Sequence, residues 1–381
     1  MGRPKKGKDI IEVAKPHTIK KFELIEHYVD EWARKILGFN GVEGREGSKG
    51  IIYIDCMSNC GLYYDIEGNL VEGTAIRVAK RLNDIITKYP GKDCLVLFND
   101  ISQDKIDRLQ EEIEKLDLTN ITIRFNCSDC NLFLRSLDLN SLQKQCNTLL
   151  LYDPYQASID WDAVTPFLNI WGEVIINHMV SDTNRGASQV KKKDKIQKYQ
   201  ETYQKGIEDI IEIGNSKSNL NSVVLDIIRN NTSKAKNKRY IASFPFFTRT
   251  NGLIYNLIHV SGSIEGLKLF KKVAWQTFGD KSSLKDTHGA EMQLSLDFFE
   301  TGIVAPQTDE DCYFVHDIAK YIYEKYHERV DVSMAEVYAD IDEHPIFPSD
   351  GYKNDIKAEL KKLGVIIPKS VRDNLVFPKS N

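Results

Sequence analysis

The sequence predicts a doubly wound α/β domain followed by a winged-helix-like α+β domain, and three observations carry that expectation. Short, continuous apolar runs such as Ile51-Ile52-Tyr53-Ile54 and Leu149-Leu150-Leu151 read as strands buried on both faces, the signature of a parallel sheet. Amphipathic stretches with apolar residues three and four apart fall between those runs, and that alternation winds helices onto both sides of a sheet. After residue 310 the pattern changes to short helices and a small hairpin.

In chain order, residues 1–16 read as a flexible basic arm punctuated by Pro4 and Pro16. A helix starts at Thr18, carries Phe22, Ile25, Tyr28, Val29, Trp32 and Ile36 on one face, and stops before Gly38. A glycine-rich connection over 38–50 feeds the first strand, 51–55, and the next helix covers 73–89 with Ile76, Ala79, Leu82 and Ile86 inward. The second strand is 94–98, followed by a helix through Ile106, Leu109, Ile113 and Leu116. The third strand is 121–125, with a short helix at 132–137; the fourth is 148–152, with a helix at 162–170; the fifth is 173–176. A helical, basic insertion then spans 186–239, with one helix over 194–213 and another over 220–229. Strands at 240–247 and 253–259 flank Thr250-Asn251-Gly252, a hairpin signal. A helix at 264–277 closes a domain of residues 17–278.

Residues 279–310 are polar and irregular, a linker or insertion. The final domain, 311–381, offers helices at 315–326, 334–341 and 352–363, then strands at 365–367 and 375–377 around a turn. Winged helices of this outline often bind DNA. The segment 354–363 in the recognition position mixes Lys357, Lys361 and Lys362 with Asp355 and Glu359, a charge balance that suits a protein partner equally well.

The chain has 381 residues, 41% hydrophobic and 28% charged, which is a globular composition with room for two cores. No apolar stretch approaches the roughly 20 residues that span a bilayer, and the basic N-terminus lacks the apolar segment of a signal peptide. The expectation is therefore a soluble, cytoplasmic protein without membrane contact. An odd count of 7 Cys points to reduced thiols rather than a disulfide framework. The net charge of −4 conceals basic clusters at the N-terminus, at Lys191-Lys192-Lys193-Asp194-Lys195, and at Lys234, Lys236, Lys238 and Arg239. Such clusters either form solvated faces or meet nucleic-acid phosphates.

The chemistry concentrates where strands end. Ligands of doubly wound sheets bind beyond the carboxyl ends of the strands, at the point where the strand order reverses. Asp55 follows the first strand, Asn99-Asp100 the second, Asp129 the third and Asp153 the fourth. One such aspartate is an ordinary turn former; a set of them at successive strand ends describes a site. The run Thr148-Leu149-Leu150-Leu151-Tyr152 ends in Asp153-Pro154-Tyr155-Gln156, which brings a carboxylate, a rigid turn and a ring to one place. Upstream, Asp55-Cys56-Met57-Ser58-Asn59-Cys60-Gly61 has the character of a cofactor loop, because Gly61 permits close backbone approach and Asn59 tolerates the left-handed region.

These segments resemble the three-Cys-motif partner proteins, a family similar to Rossmann-type S-adenosylmethionine-dependent methyltransferases. The resemblance rests on His17-Thr18 with Lys20-Lys21 and the helix to Trp32; on Tyr53-Ile54-Asp55 with Gly61, set against D-x-F-A-G-x-G; on Glu72-Gly73-Thr74-Ala75, set against E-G-S-P; and on Leu151-Tyr152-Asp153-Pro154-Tyr155, set against D-P-Y-G. It implies a Rossmann-like methyltransferase sheet with S-adenosyl-L-methionine as cofactor. Asp55 and Gly61, with Ser58 and Asn59 in the loop between them, would border the methionine end. Asp100 would take the ribose hydroxyls, Asp129 would approach the adenine amino group, and Asp153, Pro154 and Tyr155 would form the acceptor end. The loop departs from the family pattern by one glycine, and Gln156 stands where a glycine follows D-P-Y.

Such a cleft suits methylation of an exocyclic amino group of a nucleobase in DNA or RNA, reached in unstacked or single-stranded substrate. A different class of function is a non-catalytic adaptor on a degenerate methyltransferase scaffold, working with the radical-SAM-like three-Cys-motif partner that the family's name implies. A metal-dependent nuclease using the strand-end aspartates is a third. Cys56, Cys60, Cys127 and Cys130 also raise a zinc or iron–sulfur site, but the second strand is expected to lie between the first and third and to separate the two pairs, so no metal site is assigned. His178 and His259 read as packed histidines, Asn177-His178-Met179 as a segment able to border the pocket, and Phe244-Pro245-Phe246-Phe247 as core.

Overall fold

The computed structural model describes residues 10–43, 45–143, 146–170, 172–187, 193–215, 220–248, 250–285 and 312–378. The chain opens with β1 (Glu12–Val13), α1 (Pro16–Gly38), β2 (Gly41–Val42), β3 (Arg45–Glu46), β4 (Gly50–Asp55), β5 (Leu62–Tyr64) and β6 (Leu70–Glu72). It continues through α2 (Thr74–Ile86), β7 (Asp93–Asp100), α3 (Gln103–Glu114), β8 (Thr122–Cys127), α4 (Cys130–Ser136), α5 (Leu139–Gln143), β9 (Cys146–Tyr152), α6 (Trp161–Asn169) and β10 (Gly172–His178). Then come α7 (Val180–Gly186), α8 (Lys193–Tyr203), α9 (Ile207–Asn215), α10 (Leu220–Thr232), β11 (Tyr240–Phe247), β12 (Leu253–Ser261) and α11 (Ile264–Phe278). Three further helices are α12 (Val315–Tyr326), α13 (Met334–Glu343) and α14 (Lys353–Lys362).

The main sheet has 7 strands in the order β11-β12-β10-β9-β4-β7-β8. β8, β7, β4, β9 and β10 run parallel, and β12 lies antiparallel to both of its neighbours. The chain therefore winds outward from β4 through β7 and β8, returns to β9 on the other side of β4, and continues to β10. The order reverses between β4 and β9, so the switch point lies between Asp55 and Asp153. This is a doubly wound α/β fold with a Rossmann-like sheet, and its reversed hairpin strand β12 sits between β10 and β11.

Strand periodicity divides the core into two layers. Ile51 and Tyr53 of β4, Leu149 and Leu151 of β9 and Ile175 of β10 pack with α1, α2, α3 and α11. Their neighbours Ile52, Ile54, Leu150, Tyr152, Val174 and Ile176 face α4, α6 and the helices of the insertion. Both faces of every central strand are thus covered, which is why those strands carry continuous apolar runs.

Three local features differ from the sequence reading. The helix expected over 194–213 is two helices, because Gln204 takes φ 50 and the chain turns through Lys205 and Gly206 before α9. The connection after the loop that follows β4 holds an antiparallel pair, β5 and β6, against which β1 adds in parallel. Residues 12 and 13 of the basic arm are thereby built into a small sheet, while residues 1–9 lie outside the described residues. Third, the C-terminal hairpin is reduced to single antiparallel bridges, Ile366 with Val376 and Ser333 with Asn374. Most of the segment 279–310 also lies outside the described residues.

The three C-terminal helices share the core of the sheet's first face, contributing Ile318, Ile322, Val337, Ile341, Ile356 and Leu360. A buried lysine fastens them. The Lys271 side chain of α11 is fully buried, and its Nζ donates to the carbonyls of Ile341 (2.7 Å), Asp342 (2.9 Å) and His344 (2.7 Å) at the end of α13. Three ammonium hydrogens meet three carbonyls at the negative end of a helix. Trp275 Nε1 adds a bond to Ile346 O at 3.0 Å. Lys271→Met keeps the length and apolar stem but strands those carbonyls, so it is expected to cost about 3 kcal/mol or more. Urea denaturation, with limited proteolysis across 312–378, checks this; an unchanged midpoint and cleavage pattern would show that the fastening is dispensable.

Candidate active site

The loop after β4 is built around two left-handed residues. Asn59 has φ 56 and Gly61 φ 75. A Cβ on Gly61 would come within 2.6 Å of Leu109 Cδ1 and 2.9 Å of Ile76, so only glycine fits this close approach of the loop to α2 and α3. Asn59 satisfies its own turn, its Oδ1 accepting Cys60 N at 2.6 Å. The loop is then tied to the end of β7. Ser58 N donates to Asn99 O at 2.8 Å, and Asn59 N donates to Asp100 Oδ2 at 3.0 Å. Asp100 Oδ1 accepts Ser102 N at 2.9 Å. Each oxygen of this buried carboxylate has therefore taken one backbone N–H and keeps a further lone pair.

Asn99, fully buried, joins the first three strand-end loops. Its Nδ2 donates to Cys56 O (2.9 Å) and Ser128 O (3.1 Å), and its Oδ1 accepts Asn126 Nδ2 (2.6 Å). Asp129 is the N-cap of α4, with Oδ1 accepting Asn131 N at 2.9 Å and Leu132 N at 3.2 Å. Asp55 is 2% exposed and its Oδ1 accepts Met57 N at 3.2 Å. Burial pushes the Asp55 carboxyl up to about 7; the Met57 N–H opposes that rise, and nearby Asp153 adds to it.

At the far side of the switch point, Asp153 is gripped at both oxygens. Lys21 Nζ donates to Oδ2 and Asn177 Nδ2 to Oδ1. Lys21 projects from the buried face of α1 and is 7% exposed; Asn177 comes from the end of β10 and is 3% exposed. Pro154 is buried, whereas the Tyr155 side chain is exposed. The Tyr155 hydroxyl accepts Asn59 Nδ2 at 2.6 Å and donates to Glu12 Oε2 at 3.1 Å. Lys105 lies 5.5 Å from the centre of its ring and pairs with Glu12 at 2.7 Å. The Asp-Pro-Tyr turn and the loop after β4 are thus directly hydrogen-bonded, although 96 positions separate Asn59 from Tyr155.

The sequence placed Asn99 at a strand end but did not single out Lys21, Glu12 or Lys105 as parts of this assembly. Lys21 had a legible signal: a lysine beside Phe22, Leu24 and Ile25 on an apolar helix face needs a buried partner. Glu12 and Lys105 had none, since their meeting depends on β1 pairing with β5. Asn177, read as able to border the pocket, donates to Asp153 Oδ1. His178 and His259 are packed, as expected. His178 bonds Asn221 (3.0 Å) and Tyr203 (2.9 Å), with burial lowering its pKa to about 4. His259 bonds Tyr28 (2.9 Å) and Glu173 (2.8 Å). Phe244 and Phe246 are fully buried core residues.

The cysteine expectation needs a correction. β7 does lie between β4 and β8, yet Cys56 and Cys130 fall in one buried cluster, because the loops pass beyond the strand ends and meet there, and the Cys56 thiol donates to Leu151 O at 3.2 Å. Cys60 turns away toward Leu62 O (3.3 Å), and Cys127 is exposed. Among the described residues no group of three or more His, Cys, Asp or Glu side chains is placed to hold a metal ion. The basic clusters are partly structural: Arg239 donates to the carbonyls of Leu168 (2.6 Å) and Ile170 (3.1 Å), and Lys238 pairs with Glu343 at 2.8 Å. Lys191 and Lys192 lie outside the described residues. No described helix is long and apolar enough to cross a membrane.

No family model matches the chain, and no curated protein matches it. Among solved structures, WbdD is similar over 64% of this chain and 35% of its own, at 9% identity and TM-score 0.32. An rRNA methylase from Streptococcus thermophilus is similar over 62% of this chain and 92% of its own, at 9% identity and TM-score 0.29. The N-terminal domain of EvdMO1 with SAH bound is similar over 61% of this chain and 80% of its own, at 11% identity and TM-score 0.29. The chain spans about a third of the length of WbdD. At these TM-scores the likenesses carry no weight for activity.

Proposed function

We propose that this chain is an S-adenosyl-L-methionine-dependent methyltransferase acting on an exocyclic amino group of a nucleobase in single-stranded or unstacked nucleic acid. The observation that carries the reading is the placement of Asp55, Asp100 and Asp153 at the carboxyl ends of three neighbouring strands around the switch point, with a glycine-dependent loop between them. The residues present suit such a cofactor. Asp100 retains a lone pair on each oxygen for the two ribose hydroxyls, Asp129 retains an uncapped oxygen for an adenine amino group, and Asp55, with Ser58, Asn59 and Gly61, borders the place of the methionine end. Two buried polar atoms of β4 and β10, Tyr53 Oη and Asn177 Oδ1, have no hydrogen-bond partner among the described residues.

When bound, the cofactor supplies an electrophilic methyl group. The protein's part is to aim an amine at it. Asp153, fixed by Lys21 and Asn177, accepts a hydrogen of the substrate amino group, which turns the nitrogen lone pair toward the methyl and provides a place for the proton released as the N–C bond forms. The Tyr155 ring, exposed beside Asp153, offers a stacking face for the base.

A second reading, a non-catalytic adaptor working with a radical-SAM-like three-Cys-motif partner, draws support from the Asn59–Tyr155 bond, which closes the loop onto the acceptor motif. Isothermal titration with S-adenosylmethionine separates the two. Saturable binding is expected, with Asp100→Asn weakening it about tenfold to a hundredfold through lost charge-assisted hydrogen bonds. An absence of heat at millimolar cofactor would leave the adaptor reading.

A further inference from the structure

A strap of residues 10–14 crosses the mouth of the strand-end cleft just before the chain enters α1. β1 pairs in parallel with β5, Glu12 beside Tyr63 and Val13 beside Tyr64, and Ala14 N donates to Tyr64 O at 2.7 Å. From this strap the Glu12 carboxylate reaches elements on opposite sides of β4. Its Oε1 pairs at 2.7 Å with Lys105 of α3, the helix that follows β7, and its Oε2 accepts the Tyr155 hydroxyl, beyond the end of β9, at 3.1 Å. β4 lies between β9 and β7, so one side chain bridges the cleft in front of the loop that follows β4. The strap meets that loop as well, where Cys60 Sγ donates to Ile10 O at 3.6 Å.

Apart from these polar contacts the strap is weakly held. Its ladder to β5 is two residues long, Val13 is 63% exposed, and the buried Ala14 side chain is a single methyl. The side chains of Glu12 and Lys105 keep 42% and 17% of their exposure, so water competes for their ion pair. A segment tied down this way opens locally at far less cost than global unfolding. The Tyr155 hydroxyl makes the opening consequential. It donates to Glu12 and accepts from Asn59 Nδ2, which couples the position of the strap to both the Asp-Pro-Tyr turn and the loop after β4.

We propose that residues 10–14 form a gate over the strand-end cleft, with Glu12 as its latch, and that ligand enters and leaves when the contacts of Glu12 to Lys105 and Tyr155 break. The choice of S-adenosylhomocysteine as the ligand probe rests on the methyltransferase reading; the gate itself does not.

The test compares the full chain with Glu12→Ala and Lys105→Met, which break the latch from its two sides. Hydrogen exchange of the peptide carrying Ala14, and modification of Cys60 by N-ethylmaleimide read by peptide mass spectrometry, report opening without any ligand. Cys60 is buried and Cys127 exposed, so Cys127 is the internal standard. Each variant is expected to speed both readouts about tenfold while exchange in β4 and β9 stays unchanged, and the double variant is expected to go no further than either single one. In stopped-flow binding of S-adenosylhomocysteine, association and dissociation are both expected to quicken, leaving affinity within about threefold. A contact that merely shaped the site would change affinity instead. Unaltered exchange and Cys60 modification, acceleration that extends to β4 and β9, or unchanged binding rates would overturn the gate. Should S-adenosylhomocysteine bind neither the native chain nor the variants, the cofactor assignment falls, and exchange and Cys60 modification alone decide the gate.

Discussion

Asp153→Asn is expected to slow methyl transfer about a hundredfold or more while leaving affinity for S-adenosylmethionine within about threefold. Both oxygens of the Asp153 carboxylate accept hydrogen bonds, one from Lys21 and one from Asn177. An amide in its place keeps one acceptor and turns the other into a donor. That donor opposes either Lys21 Nζ or Asn177 Nδ2, and it also repels the hydrogens of an incoming amino group. The cofactor contacts are assigned elsewhere, to Asp55, Asp100 and Asp129, so binding and transfer separate cleanly. Single-turnover transfer of a labelled methyl group to single-stranded nucleic acid, alongside calorimetric cofactor binding, makes the comparison. A parallel fall in both would move Asp153 to the cofactor side, and full transfer activity in the variant would remove it from the acceptor site.

The parts of this site that the sequence made visible are those fixed by local rules. Buried parallel strands announce themselves as apolar runs, so β4, β7, β9 and β10 and the aspartates at or just beyond their ends could be placed from the sequence. Asn59 stands at φ 56 and Gly61 at φ 75, the two positions where the sequence offered residues tolerant of the left-handed region. What stayed hidden depends on long-range pairing. The Glu12, Lys105 and Tyr155 cluster exists because a two-residue strand near the N-terminus joins β5, and no periodicity can be read in two residues. The shared cluster of Cys56 and Cys130 was hidden for a related reason: strand order predicts which strands are neighbours but not how far the loops reach past their ends. The break between α8 and α9 turns on Gln204, a residue type with no special liking for positive φ, and Gly206 two positions on was its one local sign.

Asp55 gives the second large effect, through pH. Its carboxyl titrates near 7 in the folded protein, chiefly because burial disfavours the charged form, against about 3.9 in an unfolded chain. Between those values the folded state holds a proton that the unfolded state has lost. The contribution of this group to stability is therefore complete below pH 4, declines as pH rises, and levels off above 7. Asp55→Asn removes the titration, so its stability relative to the native chain is expected to improve by roughly 2–3 kcal/mol between pH 5 and pH 8. Urea denaturation at the two pH values reads this directly, and a constant difference would show that Asp55 is ionised throughout.

The same proton bears on ligand binding. If the ammonium of the cofactor's methionine end docks beside Asp55, the carboxyl must ionise to meet it, and binding should expel a proton near pH 6.5. Calorimetric heats would then scale with buffer ionisation enthalpy, and cofactor affinity would rise with pH through neutrality. In Asp55→Asn both dependences should vanish. Proton release that persists in that variant would place the titrating group elsewhere at the strand ends.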